Sequence, residues 1–184
     1  KPNTKQDIIN TNTGVAFSLK SVSKNHTQCH LASKKRWIEY FDINPVIERW
    51  FDMFFGVPGF DITDGKNKQH RMTASEIDSR LNAMAVDWFN ENRMAIFDVI
   101  VKKGMSDTPV DYLIWFDKPK GLHSVHSVKD LEELVYNGEW ILKETTLHFI
   151  TADGKKLFHV QMKGSGKKYN SGYHGLMFHI YKCF

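Results

Sequence analysis

Asp7 stands in "KQDIIN", and thirteen positions later Lys20 stands near the end of "VAFSLKS"; "TNTG" lies between the two runs. The Asn and Gly of that segment supply the turn chemistry of a hairpin, which predicts short strands over 7–10 and 15–21 and sets the carboxylate beside the amine. Such a pair is the beginning of a site for hydrolysing a phosphodiester with a divalent metal. Hard oxygens hold the ion, and a cation stands near the attacking water or the scissile phosphate. Strand alternation puts Ala16, Ser18 and Lys20 on one face and Val15, Phe17 and Leu19 on the other. The expectation is a half-buried strand with a polar face.

On these residues the sequence resembles the PD-(D/E)XK nuclease superfamily, and among its members the type II restriction endonucleases. In that family an Asp on one strand is followed, after a hairpin turn, by an acid-x-Lys triplet on the next; Asp7 and Ser18-Leu19-Lys20 match. Ser18 departs from the usual Glu or Asp, and Gln6 from the common Pro. Family members with Ser-x-Lys recruit a replacement Glu from the following helix, for which Glu39 is the candidate and Glu48 the second choice. The resemblance spans residues 5–40. It implies that Asp7 and Glu39 coordinate Mg2+, that Lys20 orients or activates the attacking water, and that Ser18 fills the acid position. It also implies double-stranded DNA cut at a specific site, a homodimer and a restriction-endonuclease-like core.

Around this pair, "KSVSKNHTQCHLASKKR" strings amide, hydroxyl, imidazole and cationic groups together with few large apolar residues. Such groups bond phosphate oxygens and base edges, so Lys24, Asn25, Gln28, Lys34, Lys35 and Arg36 are candidate DNA contacts. A competing triplet is Gln161-Met162-Lys163, because Gln-x-Lys also replaces Glu-x-Lys in the superfamily. Its upstream Asp is the difficulty: Asp98 falls within a helical pattern, and Asp111 lies 50 residues ahead of Gln161. The preferred reading makes this strand and "GSGKKYNSGYH" a DNA-facing element, with His159, Gln161, Lys163, Lys167 and Lys168 as contacts. Each residue also has an ordinary reading: a solvated lysine, an aspartate capping a turn, Glu39 paired with Lys35, a glycine-rich turn.

The rest of the chain narrows the choice. The 184 residues suit one domain, and 41% hydrophobic with 13% aromatic residues is too apolar for a disordered chain. No apolar run reaches membrane-spanning length. Cys29 and Cys183 lie far apart without CxxC spacing, which argues against a disulfide scaffold or a structural zinc site and for a reducing, cytoplasmic setting. The net charge of +4 permits a polyanionic partner, with basic clusters in "SKKRW", "GKNKQHR" and "KGSGKK". His123 and His126 sit at i,i+3, and His148, His159 and His179 lie on expected strands, but no further residue completes a zinc pattern, so they read as scattered polar-face histidines. No GxSxG elbow occurs, and "GSGKK" lacks the GxxxxGK[ST] spacing of a phosphate loop. The first residue is Lys, compatible with a fragment that begins inside a longer protein.

Elements must position these groups. Helical periodicity runs over 33–55 with a break at "DINP", and again over 73–104, opened by the capping box Thr73-Ala-Ser-Glu76, as one long helix or two in series. "VDYLIWFD" reads as a strand, "VKDLEELVYNG" as a short helix, residues 139–163 as a hairpin around Asp153-Gly154, and "LMFHIYKCF" as a last strand. The expected fold is α+β, a mixed, largely antiparallel sheet flanked by helices. Two other functions stay open: a non-catalytic nucleic-acid-binding module, and a metal-independent ribonuclease or toxin domain that uses His and Lys.

Overall fold

The computed structural model describes residues 5–21, 25–56, 72–117, 122–163 and 175–182, with the backbone alone at 122, 123, 162 and 163. The first hairpin closes where expected. Gly14 takes a φ of 74° and donates to the Asn10 carbonyl at 2.8 Å, while the Asn10 side chain accepts from the Asn12 N–H at 3.0 Å. An Asx turn followed by a glycine with positive φ reverses the chain at little steric cost. Strands β1 (Ile8–Ile9) and β2 (Ala16–Ser21) then pair antiparallel, with Ile8 opposite Phe17.

After β3 (His26–Ser33), Ser33 caps α1 (Lys34–Phe41) by accepting from the Arg36 N–H. Asp42, left-handed at φ 47°, ends that helix. Asn44 caps α2 (Pro45–Phe55), accepting from the Val46 and Ile47 N–H groups, with Pro45 in the first turn where its missing donor costs nothing. The expected break at "DINP" is therefore present.

The capping box forms too, but it closes only a 3-10 turn, Ala74–Glu76. Asp78 caps the longer helix α3 (Ser79–Glu91), and α4 (Arg93–Phe97) runs on into a π-helical turn, Asp98–Lys102. The remaining elements are β4 (Tyr112–Asp117), β5 (Leu122–Ser127), α5 (Val128–Tyr136), β6 (Glu139–Leu142), β7 (Leu147–Ile150), β8 (Lys156–Lys163) and β9 (Gly175–Tyr181).

The architecture is α+β, with two mostly antiparallel sheets where the sequence suggested one. The first has the order β1-β2-β4-β5, with β2 and β4 parallel; the second, β3-β9-β8-β7-β6, is antiparallel throughout. A parallel pair needs a crossover, and the helices between β2 and β4 provide it. Two strands escaped the sequence reading. β3 ("HTQCHLAS") and β5 ("LHSVHS") are polar and carry few β-branched or aromatic residues, so their alternation is weak. The expected hairpin over 139–163 holds around Asp153-Gly154, but its first arm divides into β6 and β7.

Aromatic side chains join the layers. Trp37 stacks on Phe178 at 4.8 Å, Trp50 on Phe54 at 4.6 Å and Phe51 on Phe89 at 5.7 Å, while Trp140 meets Phe149 edge-on at 5.3 Å. All eight are buried. Burying each such ring stabilises the fold by about 1.5–3 kcal/mol before entropy. Phe158 and Phe178 share one face of the second sheet with Phe149, and β3, paired with β9 in that sheet, packs against β2 of the first.

Candidate active site

β2 carries its polar residues inward, the reverse of what its composition suggests. Ser18 is 0% exposed while Leu19 is 47% exposed. Pairing with β4 explains this: Ser18 lies opposite Leu113 and Lys20 opposite Trp115, both buried, whereas Phe17 stacks on Tyr112 at 5.5 Å on the outer face. The hairpin brings Asp7 to this inner row. Asp7 Oδ2 accepts from Ser18 Oγ at 3.0 Å and from the Leu19 N–H at 2.7 Å, and Lys20 Nζ donates to Ser18 Oγ at 2.7 Å. Ser18 thus links the amine to the carboxylate.

These residues line a cavity of about 320 Å³ with Lys5, Gln28, Cys29, His30, Leu31 and Gly104. β3 supplies the opposite wall, which is why a missed strand hid most of the site. Lys5 Nζ donates to the Ile100 carbonyl at 2.9 Å and to that of Cys29. Burial, with a smaller contribution from the Lys20 charge, lowers Lys5 to about 8 against the pull of Cys29 and Asp7. Burial also pushes the Cys29 thiol up to about 11, so it is neither thiolate nor nucleophile at neutral pH. His30 is held down to about 3 by burial first, then by the charges of Lys5, Arg36 and Lys20; it is a neutral imidazole whose buried Nε2 has no partner among the described residues. Among the described lining residues Asp7 is the single carboxylate, against two amines. The described lining therefore carries a net positive charge, which favours a phosphate group beside Asp7.

Glu39 is not brought to it. Helix α1 buries Lys34 and Trp37, which turns Glu39 outward, 63% exposed and 3.7 Å from Lys35 in an i,i+4 pair. Glu48 lies in the first turn of α2, also away from the cavity lining. The expectation of a second acid from the helix is thereby corrected.

The expected DNA contacts scatter. Gln28 lines the cavity, and Lys35 and Arg36 are exposed on α1. Asn25 accepts from the Lys182 N–H through its carbonyl at 2.8 Å. Lys34 is instead buried and paired with Asp52, a correction to its place among DNA contacts. Removing one partner of a buried pair costs ~3–5 kcal/mol. Because the Asp52 side chain keeps 29% exposure, Asp52→Ala is expected to cost about 2 kcal/mol, and Lys34→Met less, by chemical denaturation.

On β8, Gln161 is half-buried opposite Met177, and Lys163 closes the strand. His159 is buried rather than DNA-facing, a second correction. The competing triplet gains no aspartate: Asp111 Oδ2 accepts from the Ala16 N–H at 2.8 Å in the other sheet, and Asp98 pairs with Lys102 and Lys103. Lys24, Lys167, Lys168, Cys183 and residues 65–71 lie outside the described residues. His148, His159 and His179, read as scattered, stand side by side.

No described helix is long and apolar enough to cross a membrane. Comparison with protein-family models and with curated protein sequences gave no match to this chain.

Proposed function

We propose that this chain is a metal-dependent endonuclease that hydrolyses phosphodiester bonds of double-stranded DNA at a specific site, as the type II restriction enzymes it resembles do. The observation that carries the reading is the chain from Lys20 Nζ to Ser18 Oγ to Asp7 Oδ2, 2.7 and 3.0 Å, in a cationic cavity.

The donor set suits Mg2+. Asp7 offers a carboxylate and Gln28 an amide oxygen, Ser18 Oγ is held between Lys20 and Asp7, and the one sulfur among the described lining residues is a neutral thiol. Mg2+ is commonly held by one or two carboxylates and completes its shell with waters and substrate phosphate, so a single Asp7 is compatible with it. Bound there, the ion supplies charge neutralisation at the phosphoryl oxygens and a more acidic water. Lys20 places a fixed ammonium beside the same oxygens, and the Leu19 N–H and Ser18 hydroxyl hold Asp7 in one orientation. Preorganised charge of this kind stabilises a transition state without reorganisation cost. A cytoplasmic homodimer acting on a palindromic site goes with this reading.

One observation favours a second reading. With Lys5 lowered to about 8, its amine is available for proton transfer near neutral pH. A metal-independent ribonuclease using Lys5 for acid-base work would exploit it.

Plasmid DNA incubated with the protein and Mg2+ is expected to give discrete linear products, and excess EDTA is expected to abolish them. RNA cleavage that persists in EDTA selects the second reading. Retarded DNA migration without cleavage under any metal selects a non-catalytic binding module.

A further inference from the structure

The second sheet carries a cluster that the cavity does not use. Its register sets His148 opposite His159 and His159 opposite His179, so three imidazoles cross β7, β8 and β9 on one face, opposite to the face of Phe149, Phe158 and Phe178. β3 continues the row with Gln28 opposite His179 and with His26 two residues along, on the same face. The His159 and His179 rings stack at 4.4 Å, and His26 stands edge-on to both, at 5.2 and 5.0 Å. One ring nitrogen from each of His26, His159 and His179 lies within 4.8 Å of the other two.

These are not solvated side chains. His159 is 6% and His179 7% exposed, and the Nδ1 atom of each is buried without a hydrogen-bond partner among the described residues. An unsatisfied buried polar atom costs ~1–3 kcal/mol, and here three occur in one row, His148, His159 and His179, where apolar residues would pack without that cost. A neutral imidazole presents one nitrogen lone pair, the form that ligates metal. His148 Nδ1 is likewise buried without a partner among the described residues, but its Nε2 is bonded to Thr146 Oγ1 at 2.7 Å and it lies outside the trio whose nitrogens converge.

We propose that His26, His159 and His179 form a transition-metal site, with Zn2+ the best-suited ion, that cross-links β3, β8 and β9. Imidazole nitrogens are borderline donors that suit Zn2+, Cu2+ or Ni2+, whereas Mg2+ takes hard oxygens. This site and the oxygen-lined cavity thus select different metals. Zinc–nitrogen bonds of about 2.1 Å in a tetrahedron put ligand nitrogens about 3.4 Å apart, so the rings, with nitrogens within 4.8 Å of one another, close further on binding the ion. Three protein ligands leave one position for water. The ion ties strands from both ends of the sequence, so its binding energy adds to folding energy.

The full chain, dialysed against EDTA and then freed of chelator, is titrated with Co2+ as a spectroscopic substitute and with Zn2+. The expected result is one equivalent per chain, with the visible absorption of four-coordinate Co2+, bleached by one equivalent of Zn2+. The thermal midpoint rises with Zn2+ and not with Mg2+, because only the folded chain assembles the trio. His26→Ala, at the half-buried member, is expected to weaken Zn2+ binding by about a hundredfold or more, since a lost ligand costs at least as much as a lost outer-shell partner. Absence of saturable Co2+ binding in the wild-type chain overturns the proposal, as does wild-type affinity in His26→Ala. Should His26→Ala not fold, the wild-type titration alone decides. Stoichiometry and thermal midpoint are the readouts, so failure of DNA cleavage leaves this inference standing and its failure leaves the cleavage reading standing.

Discussion

Lys20→Ala protein is expected to cleave DNA about 100- to 1,000-fold more slowly than wild type in single-turnover assays at saturating Mg2+, the usual loss when one preorganised charge or donor leaves a reacting centre. Lys20 lies on the inner face of β2 beside buried Trp115 and donates to Ser18 Oγ at 2.7 Å, so its charge is held in place. Asp7→Asn is expected to lose about a thousandfold, since it removes the one carboxylate among the described lining residues and with it several kcal/mol of metal-assisted stabilisation. Asn is the informative substitution because its side-chain oxygen still accepts from the Leu19 N–H and leaves the hairpin intact. Ser18→Ala keeps both charged groups but breaks the link between them, for an expected loss of about tenfold, in line with an outer partner of a metal ligand. Glu39→Ala should cut at the wild-type rate, because Glu39 points to solvent beside Lys35. Native cleavage by Asp7→Asn and Lys20→Ala alike would remove the active site from this cavity; a dead Glu39→Ala would restore the family's helix-borne acid.

How much of this was legible in the sequence depended on whether the signal was local. The hairpin, the Asn44-Pro45 helix start and the Asp153-Gly154 turn each follow from a few adjacent residues, and each forms. The α+β class followed from their order. The inward face of β2 did not, because in "AFSLKS" the Phe17 and Leu19 face reads as the one to bury, and only β4, more than ninety residues on, covers the Ser18 and Lys20 face instead. Glu39 shows the same limit: the helix was readable, but its rotation is set by Trp37 packing on Phe178. The back wall of the cavity and the histidine cluster were hidden for one reason. Both hang on β3, whose polar sequence shows little strand pattern until β9 pairs with it. Lys5 was readable only as one more lysine near the start of the chain. Its character comes from burial against the Cys29 and Ile100 carbonyls.

That burial has a measurable signature. Lys5 releases its proton near pH 8 in the folded chain and near 10.5 when unfolded. Between those values the unfolded chain binds more protons, so stability rises with pH across the window; the cost of the buried charge is fully present below pH 8 and gone above 10.5. The difference in unfolding free energy between wild type and Lys5→Met should therefore move by up to about 3 kcal/mol in favour of wild type from pH 8 to 10.5, by urea denaturation. Groups common to both proteins cancel in that difference. Parallel curves would mean that Lys5 is solvated and has no part in the cavity. The neighbours give a second arm. The Lys20 charge lowers Lys5 further and the Asp7 charge raises it, so the inflection should shift upward in Lys20→Ala and downward in Asp7→Asn. The same titration acts on the substrate. A cavity that loses one of its two positive charges above pH 8 holds phosphate less well, so KM for DNA should climb with pH in wild type and stay flat in Lys5→Met, whereas a catalytic base at Lys5 would move kcat instead. That split between KM and kcat separates an amine that attracts the DNA backbone from one that takes the proton.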